Sequence, residues 1–186
     1  MKTIVAIFCV SMLVTLPVFG EDVDSLRTKE VEQWSKSGFG DVNVIVKNAT
    51  ALLADENATI SQLKDAGKST NAAANFIGNI TDKYDDYKRE NYKYDFVLEK
   101  VAPSRDAYVK VSNALKGLRN QCYFRIGLQL KSNGKNLEAF LYFKDAFRLS
   151  TMVENGKEGL RYKAEQEMKT LLGLQEIESF VTWQGT

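Results

Sequence analysis

One run of spacing constrains this chain more than any other feature. Ala73, Ile77, Ile80, Tyr84, Tyr87, Asn91, Tyr94, Leu98 and Val101 follow one another in alternating steps of four and three. Those steps keep every one of them on one face of an α-helix, so the segment reads as four heptads of a helical seam. Pro103 follows at once and is expected to end the helix, because proline has no N–H to donate and its ring crowds the preceding turn. A helix of about 30 residues is about 45 Å long, a spine against which shorter helices can lie.

The rest of the chain repeats the same period. Asp41 is a plausible N-cap for a helix from Val42 to Ala66, with Val42, Ile45, Ala49, Leu52, Leu53, Ile60 and Leu63 on its apolar face. Gly67 and the polar residues Lys68 to Asn71 are expected to turn the chain into the spine. Ser104 can cap a helix to about Lys131, and Ser132-Asn133-Gly134 is a stop in which glycine takes the left-handed position. Two more helices are predicted, Asn136 to Glu154 and Lys157 to about Val181, separated by Asn155-Gly156, with Gly159 and Gly173 weakening the last one. Ahead of Gly38-Phe39-Gly40, Val23, Leu26, Val31 and Trp34 outline a short first helix. No alternating run argues for a strand. The expected fold is all-α: an elongated antiparallel bundle of about five main helices plus a short N-terminal one, joined by short connections.

The first 20 residues read as an export signal. Lys2 is the basic start, Ile4 to Leu16 is nearly uninterrupted apolar sequence, and Val18 and Gly20 occupy the small-residue positions of a cleavage site. That apolar core falls short of the roughly 20 residues needed to span a bilayer, so no transmembrane anchor is expected. Removing residues 1–20 leaves a single helical domain, 21–186, of 166 residues. The expected location is extracellular.

Export makes three Asn-x-Thr triplets usable as glycosylation sites: Asn48, Asn57 and Asn79. It also leaves Cys122 as the one cysteine beyond the signal. That thiol has two readings: an inert cysteine buried on the apolar face of its helix, or an intermolecular disulfide holding a homodimer.

Histidine is absent, which excludes Ser–His and Cys–His nucleophile pairs, histidine metal triads and histidine bases. Gly67-Lys68-Ser69-Thr70 looks like the end of a phosphate-binding loop, but that motif needs a glycine where Gln62 stands. Asp82, Asp86 and Glu90 share a helix face, but interleaved Lys83, Lys88, Arg89 and Lys93 give the look of a solvated, salt-bridged surface. No catalytic residue, metal or cofactor is expected. Beyond residue 20, basic and acidic side chains balance at 24 each, which gives no net field for nucleic acid. Residues 21–103 carry a net −4 and 104–186 a net +4, an asymmetry that lets one helix layer lie on another.

Two groups of residues are candidates for binding. The Tyr-rich spine (Tyr84, Tyr87, Tyr92) and the basic helix after it (Arg105, Lys110, Lys116, Lys131) form a candidate interaction surface for an extracellular protein or an anionic glycan. Phe140, Phe143, Phe147, Phe180 and Trp183 are candidates for lining a cavity between helices. Signal peptide, sequons, helical pattern and missing catalytic set together resemble the fast-diverging secreted helical proteins of arthropod saliva or haemolymph. The resemblance implies an effector role and carries over no site residue. The function expected is therefore that of a secreted, N-glycosylated, non-enzymatic protein binding an extracellular macromolecule. The alternative is a carrier of a hydrophobic small molecule held between helices.

Overall fold

The computed structural model describes Ser25 and residues 28–32, 40–150 and 158–177, apart from the Val97 side chain. The expected export signal (residues 1–20), Val23, Leu26, Trp34, the Asn155-Gly156 break, Phe180 and Trp183 lie outside the described residues. Among the described residues there is no strand, and helices pack on one another as a bundle. In chain order the main ones are α1 (Val42–Ala54), α2 (Ile60–Glu90), α3 (Asp95–Ser132), α4 (Asn136–Leu149) and α5 (Leu160–Leu172). Residues 28–32 are helical as well.

Asp41 does cap α1, accepting the Asn43 N–H at 2.8 Å. The helix then ends twelve residues earlier than the sequence period suggests. Asp55 folds the chain into a turn by accepting the Asn57 N–H at 2.9 Å, and Ala58 is buried there. Thr59 restarts the helix through a reciprocal capping box: its hydroxyl accepts the Gln62 N–H, and the Gln62 side chain accepts the Thr59 N–H at 2.8 Å. The Thr-x-x-Gln pattern is legible in the sequence and outranks the apolar period that runs across it.

The expected turn at Gly67 to Asn71 is instead the interior of α2. Thr70 is buried and donates back to the Ala66 carbonyl at 2.8 Å, and the Asn71 side chain accepts from Arg119 at 2.7 Å. Gly67 suits its helical position because the Tyr123 ring lies where a Cβ would project, with Cε1 3.0 Å from it. Thr70 and Asn71 thus face the neighbouring helix, while Lys68 and Ser69 are exposed.

The spine does not run to Pro103. It breaks at residues 91–94, where Asn91 closes α2 by donating its side-chain amide to the Tyr87 carbonyl at 2.9 Å. α3 begins at Asp95 and carries Pro103 in its interior. An interior proline costs about 3 kcal/mol in an isolated helix. Tertiary anchors on both sides hold the backbone helical through it: Val101 is buried against Ile80 and Tyr84, and Arg105 pairs with Asp85 at 2.5 Å. The seam is therefore folded into a hairpin, with its C-terminal end packed on its own middle.

α2 (31 residues) and α3 (38 residues) are the antiparallel frame, about 46 and 57 Å long at 1.5 Å per residue. Contacts running Arg105 to Asp85, Ser112 to Ala74, Arg119 to Asn71 and Tyr123 to Gly67 fix their register. α4 follows the predicted stop at Gly134, which has φ +71°. It lays Phe143 against α3 so closely that a Cβ at Gly127 would stand 2.6 Å from the ring. α4 closes at Leu149, five residues before the expected end, with Ser150 at its C-cap. α5 stops at Leu172, nine residues short of the expected end, with Gly173 as its C-cap. Gly173 is left-handed (φ +66°), and the Leu174 N–H donates to the Lys169 carbonyl at 2.9 Å, a Schellman closure.

Candidate functional site

The two candidate groups fare differently. Tyr84 is fully buried between α2 and α3, its ring centroid 5.9 Å from that of Tyr108, so it belongs to the core and not to a surface. It sits on the inner face of the hairpin, where the seam repeat puts it. Tyr87 is half-buried beside the same cluster. Tyr92 is exposed, at 65%.

Tyr92 lies in the turn between α2 and α3, and the fold supplies it with neighbours that the sequence reading did not single out. Tyr94 is 43% and Phe96 65% exposed, and their rings meet edge to face with centroids 6.1 Å apart. The Lys93 ammonium stands 5.6 Å from the Tyr92 ring centroid. Three outward aromatics thus crowd one end of the long hairpin. Reading the seam straight through this segment hid them; the Asn91 cap was the available signal for a break.

The basic residues of α3 mostly serve the bundle. Arg105 binds Asp85 through Nε at 2.5 Å and Nη2 at 3.2 Å, which holds the Asp85 carboxyl below the usual carboxylate range and raises Arg105. Lys131 pairs with Glu167 on α5 at 2.5 Å. Arg119 is buried, donating to Asn71 and Asn120, and burial lowers its pKa. Arg125 donates to the carbonyls of Leu52 (2.9 Å), Leu53 (2.6 Å) and Asp55, so it closes the last turn of α1. Exposed Lys110 and half-buried Lys116 have no ion-pair partner among the described residues. The four candidate cations do not converge on one patch: two are engaged at opposite ends of α3.

Phe143 is fully buried in the main core, with Phe140 and Phe147 packed around it, and Phe147 carries the Arg161 guanidinium 4.5 Å above its ring. These three fill space rather than line a void. Cys122 is fully buried in the same core, and burial pushes its thiol up to about 11. That is the setting of an inert buried cysteine and leaves no sulfur for a second chain to reach.

The clefts lie elsewhere. One of about 510 Å³ opens between residues 30–31, α1, α2 and α3, walled by Val42, Val46, Ile77, Ile80, Tyr108 and Val111. Glu30 faces it, only 6% exposed, with its carboxylate accepting from the Tyr108 hydroxyl. A second, of about 520 Å³, runs between α1 and α2 past Ile45, Leu52 and Gln62, with Asn48 on its rim. Asn48, Asn57 and Asn79 are all exposed. Asn57 occupies the turn between α1 and α2, at the opposite end of α2 from the aromatic turn.

Among the described residues no group of three or more His, Cys, Asp or Glu could hold a metal, and no helix is long and apolar enough to cross a membrane. No family model, curated protein or solved structure matches the chain.

Proposed function

We propose that this chain is an exported, N-glycosylated, non-enzymatic protein that binds an extracellular protein through the aromatic tip of its long hairpin. The observation that carries the reading is the exposure of Tyr92, Tyr94 and Phe96 together at one end of a rigid antiparallel pair. Aromatics dominate the energetics of protein interfaces, because each buries a large area at low conformational cost. An anionic glycan is the weaker partner, since Arg105, Arg119, Arg125 and Lys131 are engaged inside the bundle. A glycan on Asn57 would sit about 46 Å from the tip, the length of α2, and leave it open.

The test compares wild type with a Tyr92→Ser/Tyr94→Ser/Phe96→Ser variant, both glycosylated and immobilised in the extracellular fluid they come from. A protein retained by wild type and lost by the triple variant, at unchanged thermal stability, supports the reading. Equal retention by both removes the tip from the function. Retention of both on an anionic-glycan column at physiological salt would move the reading to glycan binding.

The carrier reading keeps one observation in its favour, the apolar cleft of about 510 Å³ beside Glu30, within the 300–1,000 Å³ range of small-molecule sites.

A further inference from the structure

We infer that the cleft beside Glu30 binds an amphiphilic monocation, a small molecule with an apolar body and one ammonium group. The inference rests on the carrier reading and names the ligand class for it. Its walls are aliphatic: Val42 and Val46 from α1, Ile77 and Ile80 from α2, Val111 from α3. An apolar ligand body gains from leaving water against such a surface, about 25 cal/mol per Å² buried.

Glu30 sets the polarity of the other end. It is 6% exposed and accepts the Tyr108 hydroxyl proton, and among the described residues no cation pairs with it. A phenol satisfies one lone pair of a carboxylate that offers about four, and it contributes no charge. A buried carboxylate without a counter-ion favours a ligand that brings one. An ammonium donates up to three hydrogen bonds, and charge-assisted bonds are roughly twice as strong as neutral ones. A carboxylate-headed lipid is disfavoured by the same geometry, since its head would meet Glu30 with like charge.

The experiment is calorimetric titration of the full chain with n-octylammonium and, separately, 1-octanol, at neutral pH. The two have the same tail, and the amine is protonated there. The expected result is octylammonium binding at least about tenfold more tightly, a difference of about 1.4 kcal/mol. Equal affinities overturn the assignment of Glu30 as counter-ion while leaving the carrier reading standing. Binding of neither probe removes the carrier reading and this inference with it. In Glu30→Gln, octanol is expected to bind as in wild type while the amine loses its advantage to within about twofold. A tenfold preference that survives Glu30→Gln places the charge recognition elsewhere and overturns the proposal. Because equal wild-type affinities overturn the assignment by themselves, a Glu30→Gln chain that fails to fold does not shelter the inference.

Discussion

Replacing Gly127 by alanine isolates the closest approach in the bundle. In the middle of a helix, alanine is favoured over glycine by about 0.5–1 kcal/mol. At Gly117, also within α3, the new methyl would meet nothing within 4 Å, so Gly117→Ala is expected to show that gain in full. At Gly127 the methyl would stand 2.6 Å from Cε1 and 2.7 Å from Cδ1 of Phe143. Carbon atoms rest at about 3.5–4.0 Å, so ring and helix must part by about 1 Å. Phe143 is fully buried among Cys122, Ile126, Leu130 and Ala139, which leaves its ring no free direction. Overpacking of that kind costs about 1–3 kcal/mol. Gly127→Ala should therefore lie about 1–3 kcal/mol below Gly117→Ala in urea denaturation at equal m-value, with Tm lower by about 2–4 °C for each kcal/mol. Shrinking the ring should recover part of the loss, so Gly127→Ala with Phe143→Leu should show a favourable coupling of about 1 kcal/mol. Equal stability of the two glycine variants, or zero coupling, would refute the packing argument.

Three further outcomes are expected. Arg125→Ala should lower stability by about 2 kcal/mol, because the Leu52 and Leu53 carbonyls at the end of α1 lose a charged donor, and Arg125→Lys should recover little, since a single ammonium nitrogen lacks the planar fork whose two nitrogens reach these carbonyls; urea denaturation reads both. Cys122 should resist a thiol reagent in the native chain and react at once in denaturant. Its folded pKa, about 11 against an ordinary 9.0, also means that stability should be full below pH 9 and decline as pH rises toward 11, a component that Cys122→Ala removes in alkaline melts. The Arg105–Asp85 pair works in the opposite direction. The folded pKa of Asp85 is lowered by its hydrogen bond to Arg105, so the contribution is present above the ordinary carboxylate value and lost as pH falls through the folded one. With both side chains a third or more exposed, solvent screening limits it to no more than about 1 kcal/mol, read as the difference between wild type and Asp85→Asn in acid melts.

Particular residues show how far the sequence reading reached. The seam from Ala73 to Val101 identified buried positions correctly at Ala73, Ile77, Ile80, Tyr84 and Val101. It misplaced the bend, because a three-and-four repeat continues unchanged across a hairpin whose two arms bury the same face. Asn91 and the Thr59–Gln62 box were readable as helix ends, and the apolar period obscured both. Pro103 read as a stop since local energetics say so; burial of Val101 beside it reversed the outcome. The candidate surface on α3 lost two of its four cations for a similar reason. Arg105 and Lys131 are drawn into the bundle by Asp85 and Glu167, 20 and 36 positions away, whereas Lys110 and Lys116 stay without an ion-pair partner among the described residues.

The sequence by itself determined an all-α fold, the main seam and the caps at Asp41 and Gly134, since those depend on spacing and on residues within a turn of one another. It also carries the sequons, whose exposure the fold then shows. Tertiary structure alone decided that the spine doubles back, that Tyr92, Tyr94 and Phe96 share one tip, and that Glu30 faces an apolar cleft beside Tyr108, 78 residues away. The physical reason is range. Capping bonds and helical periodicity act over three or four residues, while burial and ion pairing act through space between segments whose separation along the chain leaves no local trace.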